Sequence, residues 1–194
     1  MAFEKVAGWS AYAAALGGIL YGFFFVIVGN IGVAAGLLML GGLLSTVVIT
    51  ALAWSLRSVN ELAARWAAMV GVVGSLLSVV HGGFDLANVI HPPLENVLSL
   101  AEYPNQVDPR GLATFGFAGV AYLTLASLAV ASDRYPRQLA RVGQALGVLM
   151  VVIYFGRLII LDPTNPIVRA ALAAGVIANT AFFLWLGRVW ARPT

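Results

Sequence analysis

Five polar side chains recur at intervals of three and four residues within one long apolar stretch. They are Ser75, Ser78, His81, Asp85 and Asn88, which we call the polar stripe. Residues with this spacing share one side of an α-helix. A carboxylate or an imidazole in hydrocarbon costs several kcal/mol unless it is partnered or hydrated. The polar stripe is therefore expected to face other helices or a cavity, and it is the first place to look for function.

The fifth apolar segment carries a guanidinium at a depth that matches the polar stripe. Arg65 and Arg141 anchor the inner ends of the third and fifth segments. Counted from these anchors, His81 and Arg157 both lie about 24 Å into the bilayer. Asp85 lies one helical turn further along. Because a low dielectric strongly favours the pairing of opposite charges, we predict an ion pair between Asp85 and Arg157.

The predicted binding or ion-pair pocket combines polar residues of both segments. The residues expected to line it, with its opening toward the outer side, are His81, Asp85, Asn88, Tyr154 and Arg157. The alternative is a structural role, because membrane helices use such side chains as hydrogen-bond partners and an Asp–Arg pair can lock two helices together. Three ionisable groups are more than helix association requires. Both interpretations stay open.

Two glycines, Gly82 and Gly83, separate His81 from Asp85. Each glycine loosens a helix by about 1 kcal/mol relative to alanine. The pair predicts either a kink whose carbonyl groups line a cavity or a close approach of a neighbouring helix. Close packing is the commoner of the two arrangements.

The motifs of most enzyme classes are missing from the sequence. It has no paired-histidine metalloprotease motif, no phosphate-binding glycine loop and no nucleophile elbow, so no catalytic residue is predicted. A metal site would have only His81, Asp85 and His91 to draw on, too few for a closed zinc site. Neither a metal nor a cofactor is predicted. Haem and quinone stay open as alternatives, although haem would need a second histidine at matching depth.

The composition is that of an integral membrane protein. Apolar residues make up 61% of the 194 residues, charged residues only 10%, and the mean hydropathy is +0.93. A soluble domain carries about 25% charged residues. One transmembrane domain, 1–194, is therefore expected to use the whole chain. The net charge of +3 comes from arginines scattered at helix ends, so no nucleic-acid partner is expected.

Segment length predicts six transmembrane helices. The uncharged run 6–56 would be about 75 Å long as one helix, against a hydrocarbon core of about 30 Å, so the chain must reverse within it. Gly29 and Asn30 supply the turn, and Pro92 ends the third segment. The predicted spans are about 7–28, 31–56, 64–90, 111–132, 142–161 and 167–189. The fold class is thus an all-α bundle of six transmembrane helices.

Positive residues predict the orientation of the bundle. Cytoplasmic ends of membrane helices collect lysine and arginine. With the N-terminus inside, eight of these residues fall on the inner side, and the three on the outer side are Arg110, Arg157 and Arg169. The five tryptophans also fall at inner helix ends, as an interfacial belt would place them. We predict a multi-pass protein of the plasma (inner) membrane with both termini cytoplasmic.

The outer loop between the third and fourth helices is predicted to contain a short interfacial helix. Leu94, Val97, Leu98 and Ala101 recur there at helical spacing, after Pro93 at a suitable first helical position. Such a helix would lie on the membrane surface. The alternatives are a loop that packs its apolar residues on the helix ends and a lid over the polar stripe.

Three classes of function fit these residues. The preferred one is a non-enzymatic accessory or assembly subunit of a membrane complex, which packs in the bilayer on other membrane subunits or on copies of itself. The second is a small transporter or receptor for a small or lipophilic solute, with His81 as the titrating group and Asp85 and Arg157 as its charge partners. An enzyme acting on a lipid or quinone comes third, because no nucleophile or cofactor motif accompanies His81.

Overall fold

A computed structural model describes residues 2–92, 109–160 and 165–191 of the chain. All regular structure within these ranges is helical. The six helices are Ala2–Gly22 (α1), Ile31–Leu56 (α2), Glu61–Ile90 (α3), Pro109–Val130 (α4), Arg137–Ile159 (α5) and Pro166–Trp190 (α6). Helix α1 continues directly into a π-helical segment, Phe23–Val28. With that segment counted in α1, each helix is long and apolar enough to span a membrane, which confirms the predicted six-span, all-α class.

Short polar turns set the helix boundaries. Gly29 has a φ of 71°, a left-handed conformation that glycine adopts without strain. Asn30 then caps α2, because its side-chain oxygen accepts a hydrogen bond from the backbone N–H of Val33 at 3.0 Å. Asn60 caps α3 in the same way through the N–H of Ala63, also at 3.0 Å. The tight hairpin predicted between the first two helices is confirmed.

Three helices begin at least three residues earlier than the apolar pattern predicts. Helix α1 begins at Ala2 instead of residue 7, α3 at Glu61 instead of residue 64, and α5 at Arg137 instead of residue 142. In α3 the additional turn is held by the Asn60 cap and by an ion pair of 2.6 Å between Glu61 and Arg65. The apolar pattern marks the part of a helix that crosses hydrocarbon, whereas the helix itself continues into a polar turn.

The helices pack as a closed ring in chain order. Each helix from α1 to α5 packs on the next one, α6 packs back on α1, and α4 also touches α2. Glycine permits the closest approach, since a Cβ on Gly147 of α5 would lie 2.6 Å from the backbone nitrogen of Leu123 in α4. Within the described ranges α3 and α5 make no contact, because α4 lies between them.

A hydrogen-bonded cluster ties the helices together at the end of the bundle that carries both termini, here called the termini end. Tyr135, in the connection between α4 and α5, is 4% exposed. Its hydroxyl lies 2.6 Å from Ser55 Oγ of α2 and accepts a hydrogen bond from Trp190 Nε1 of α6 at 3.1 Å. The neighbouring Arg134 forms an ion pair with Glu4 of α1. This termini cluster thus connects α1, α2 and α6 with the α4–α5 connection.

The tryptophans of the termini end divide into two groups. Trp9, Trp54 and Trp66 are exposed, as the predicted interfacial belt requires, and Trp185 is half-buried. Trp190 differs, because it is only 8% exposed and donates to Tyr135. The prediction that it joins the belt is wrong, since the termini cluster holds its indole inside the bundle.

Large apolar side chains cover the exterior of the bundle. Val26, Ile159 and Ile177 are among the most exposed, at 76%, 80% and 70%. Such a surface suits contact with the acyl chains of a lipid bilayer. The predicted interfacial helix around 94–101 lies outside the described residues.

Candidate functional site

The half of the polar stripe nearer the bilayer centre is buried among helices. Ser75 and Ser78 are 4% and 8% exposed. Ser75 Oγ donates to the carbonyl of Gly71, one turn earlier, at 2.9 Å. Ser78 Oγ donates to Thr114 Oγ1 of α4 at 3.4 Å. Both hydroxyls therefore have partners inside the bundle, and Ser78 links α3 to α4.

The other half of the stripe is partly open, at the end of the bundle opposite the termini, here called the distal end. His81 Nε2 and Asp85 Oδ2 lie 3.6 Å apart, and their side chains are 25% and 31% exposed. Gly111 of α4 forms one wall, since a Cβ there would lie 3.5 Å from His81 Nε2. Asn88 continues the same face of α3 and is half-buried. A titratable pair thus lies at the edge of the bundle interior.

Helix α1 contributes an aromatic residue that the polar pattern did not reveal. Tyr21 lies within electrostatic range of Asp85. Its ring stacks on Phe25 of the π-helical segment, with ring centroids 5.5 Å apart and planes inclined by 15°. The sequence nevertheless indicates the depth of Tyr21. Tyr21 lies as far along the chain from Lys5 as His81 lies from Arg65.

The two remaining predicted residues lie on the other side of α4. Tyr154 of α5 packs its ring on α4 at Gly116, where a Cβ would lie 2.9 Å from Tyr154 Cδ2. Arg157 Nη1 donates to the carbonyl of Ile160 at 3.5 Å. A basic side chain near a helix C-terminus commonly binds the last carbonyl groups. Tyr154 thus belongs to the α4–α5 contact, and this hydrogen bond joins Arg157 to the end of its own helix.

The predicted ion pair between Asp85 and Arg157 is not formed. In the part of the chain that the structure describes, the titratable side chain beside the Asp85 carboxylate is His81, at 3.6 Å. The reason is the order of the helices, since α4 separates α3 from α5. The five residues predicted to line one pocket lie on two sides of α4: His81, Asp85 and Asn88 on α3, Tyr154 and Arg157 on α5.

Arg110 brings a positive charge to the distal end. Its guanidinium carbon lies 3.7 Å from the centroid of the Phe84 ring, a typical cation–π contact. Phe84 immediately precedes Asp85, and Arg110 immediately precedes the glycine that touches His81. Among the described residues, the charged and titratable groups near the His81–Asp85 pair therefore include Arg110 on α4 and Tyr21 on α1.

Helix α3 runs unbroken through Gly82 and Gly83. A Cβ on Gly82 would lie 2.6 Å from the carbonyl oxygen of Ala35 in α2, which leaves no room for a side chain. Of the two arrangements predicted for this glycine pair, the structure shows close packing, in a helix that is not interrupted. The contact holds the half of α3 that carries His81 and Asp85 against α2.

The distal end can interact with a cation in two ways. One is through the carboxylate of Asp85, which lies beside the imidazole of His81. The rings of Tyr21 and Phe25 add faces that attract cations. Within residues 2–92, 109–160 and 165–191, no three His, Asp or Glu side chains come together as metal ligands would. The arrangement suits a solute with a positively charged group.

Only the fold indicates the class of this protein, because the comparisons with known proteins give no match. Neither a protein-family model, nor a curated protein, nor a solved structure matches the chain. Six apolar helices packed in a bundle fit a polytopic membrane protein. The chemistry of the site therefore follows from the contacts of its own residues.

Proposed function

We propose that this polytopic membrane protein binds a small solute carrying a positively charged group at the distal end, as a small transporter or receptor would. The observation that carries the proposal is the partly exposed His81–Asp85 contact of 3.6 Å. Charge-assisted hydrogen bonds between nitrogen and a carboxylate normally measure about 2.7–2.9 Å. The carboxylate therefore keeps capacity for a second donor, which an ammonium group supplies.

Aromatic rings beside the carboxylate support the same class of ligand. Tyr21 and Phe25 form a stacked pair on the α1 side. Phe84, the residue before Asp85, already holds the guanidinium of Arg110 at 3.7 Å. A carboxylate bordered by aromatic rings is a favourable environment for an ammonium ion, because both the charge and the ring quadrupoles attract it.

Calorimetric titration of the purified full-length protein in detergent tests the proposal. The probes are a series of alkylammonium and arylammonium ions, each paired with an uncharged alcohol of similar shape. We expect an ammonium ion to bind and its alcohol partner not to bind. Asp85→Asn should abolish binding, while His81→Gln, which leaves the charge of Asp85 in place, should keep it.

The matched control is Asp133→Asn, the same chemical change at an exposed aspartate of the termini end. This variant should bind as the unaltered protein does. Equal binding of ammonium ions and alcohols, or unchanged binding by Asp85→Asn, would show that the carboxylate does not recognise the ligand.

A second candidate function, an accessory or assembly subunit, is supported by glycines on α1 and α2. A Cβ on Gly18, Gly22, Gly36 or Gly41 would meet nothing within 4 Å in the chain. Small residues on an uncovered membrane helix permit another helix to approach closely. Native mass spectrometry in mild detergent tests this role: a stable complex that Gly41→Leu dissociates would support it, and a lone monomer would contradict it.

We propose further that the termini end faces the cytoplasm of a plasma membrane, because seven of the ten Lys and Arg residues that the structure describes lie on that side. The chain contains no cysteine, so single cysteines can report on sidedness. In intact cells, a membrane-impermeant maleimide should label His91→Cys at the distal end and leave Ser58→Cys at the termini end unlabelled until the cells are permeabilised. The reverse pattern would invert the orientation.

A further inference from the structure

A groove lies between α1 and α2 at the termini end, on the far side of the bundle from the His81–Asp85 pair. Its volume is about 360 Å³, and it is lined by Phe3, Glu4, Thr50, Ala51 and Trp54. Small-molecule sites commonly have volumes of about 300–1,000 Å³. Phe3 and Trp54 are 48% and 62% exposed, so the groove opens to the exterior of the bundle, where the lipid lies.

An arginine stands at the rim of this groove. Arg57 follows the last residue of α2 as its C-cap, and its guanidinium carbon lies 3.5 Å from the centroid of the Trp54 ring. Arg57 is exposed and forms no ion pair with a carboxylate in the described part of the chain. Stacking holds the guanidinium plane against the indole and leaves its in-plane N–H donors able to bind an oxyanion.

The carboxylate in the groove does not oppose an anion there, because it is already neutralised. Glu4 forms an ion pair with Arg134 of the α4–α5 connection. The next residue, Lys5, is exposed and pairs with no carboxylate among the described residues. The groove therefore combines mostly apolar walls with a positively charged rim.

We propose that this groove binds an anionic phospholipid of the membrane leaflet that meets the termini end. One acyl chain lies along Phe3, Ala51 and Trp54, and the phosphate lies against the guanidinium of Arg57. Guanidinium groups bind phosphate through paired hydrogen bonds, and basic residues beside the membrane surface attract anionic lipids. The proposal is independent of solute binding at the distal end, because none of these residues belongs to that site.

Thermal unfolding of the purified full-length protein in detergent tests the lipid site. Dioleoylphosphatidylglycerol should raise Tm more than dioleoylphosphatidylcholine does. Arg57→Gln and Trp54→Leu should each lose this additional rise. Arg141→Gln, which removes the same charge from an exposed position on α5 near the same end, should keep it.

Each other outcome overturns the proposal in its own way. Equal effects of the two lipids would mean that the headgroup is not recognised. If Arg57→Gln and Arg141→Gln lose the additional rise in Tm equally, the preference for the anionic lipid depends only on the overall charge of the surface. The full rise with glycerol 3-phosphate alone would show a phosphate site that does not use the groove, and an unchanged rise in Trp54→Leu would exclude the stacked guanidinium.

Discussion

The two ends of this bundle hold their polar groups in different ways. At the termini end, the hydroxyl of Tyr135 meets Ser55 at 2.6 Å and Trp190 at 3.1 Å, and its side chain is almost fully buried. At the distal end, the contact between His81 and Asp85 measures 3.6 Å and both side chains are partly exposed. A buried cluster with short hydrogen bonds specifies packing, whereas an open pair with a long contact is one that a ligand can complete.

Helix α1 shows the same division along its own length. At the termini end α1 and α6 approach so closely that a Cβ on Gly8 would lie 3.2 Å from Trp190 Cβ. At the distal end α1 becomes π-helical at Phe23–Val28, a segment that buries none of its residues. π-helical turns occur frequently at functional sites. In α1, close packing therefore lies at the termini end, and the site that we propose for ligand binding lies at the distal end.

The largest effect on stability is expected from Tyr135→Ala. The substitution removes a buried aromatic ring together with the partner of Trp190, and such losses cost about 3–5 kcal/mol in the free energy of unfolding. Reversible unfolding in mixed detergent micelles measures it. Asp133→Ala, at an exposed position two residues earlier, should stay within about 0.5 kcal/mol. A cost below about 1 kcal/mol for Tyr135→Ala would mean that the termini cluster does not hold the helices together.

The next largest effect on stability is expected from Tyr135→Phe, which is compared with Tyr21→Phe at the distal end. Tyr135→Phe leaves the indole N–H of Trp190 without its acceptor in a buried environment, which costs about 1–3 kcal/mol. Tyr21→Phe at the distal end should cost less than about 0.5 kcal/mol. The same unfolding measurement compares the two variants, and equal costs would remove the distinction between the two ends.

A smaller effect of the termini cluster is expected at alkaline pH. Burial raises the pKa of Tyr135 above its ordinary value of 10.0, and hydrogen bonds from Ser55 and Trp190 only partly offset that rise. Above about pH 10 the unfolded chain loses this proton while the folded chain keeps it, so stability falls as pH rises, by at most about 1.4 kcal/mol per pH unit. The contribution of Tyr135 is fully present below about pH 10.

The difference in unfolding free energy between the unaltered protein and Tyr135→Phe isolates this contribution. The difference should be constant from about pH 8 to pH 9.5 and should shrink above about pH 10. A difference that does not change with pH would mean that the hydroxyl titrates equally in both states. The other five tyrosines and Lys5 are present in both proteins, so the subtraction cancels their contributions.

Much of the fold could be predicted because the bilayer imposes length and polarity on each segment. Helix α2 was predicted to its observed bounds, since Asn30 supplies a cap and the apolar run is uninterrupted. The N-terminal ends of α3 and α5 were predicted too late, because polar first turns carry no apolar signal. Capping at Asn60 decides where α3 begins, and that signal is a single residue.

The candidate site was predictable only in part, because the sequence gives depth and face but not neighbours. The periodicity of α3 placed His81 and Asp85 on one face correctly. Depth alone suggested Arg157 as the partner, but the closed ring puts α4 between the two helices. The sequence does not reveal the role of Tyr135, because its partners, Ser55 and Trp190, come from helix ends that are far apart in the sequence.

The smallest effect on stability, and the sharpest test of the comparison, is expected from Asp85→Asn. A partly exposed ion pair contributes about 0–1 kcal/mol, and asparagine keeps the shape of the side chain. The free energy of unfolding should therefore change by no more than about 1 kcal/mol. Calorimetric binding of ammonium ions should nevertheless be lost, because the attracting charge is gone.

A large loss of stability in Asp85→Asn would mean that polar groups have the same structural role at both ends. If Asp85→Asn costs as much as Tyr135→Ala, the carboxylate supports packing at the distal end as the tyrosine does at the termini end. His81→Gln then provides the decisive comparison, since it removes the ion-pair partner while leaving the charge of Asp85 in place. A destabilised His81→Gln would show that the pair joins helices, whereas a stable His81→Gln that still binds ammonium ions would show that the carboxylate of Asp85 recognises a ligand.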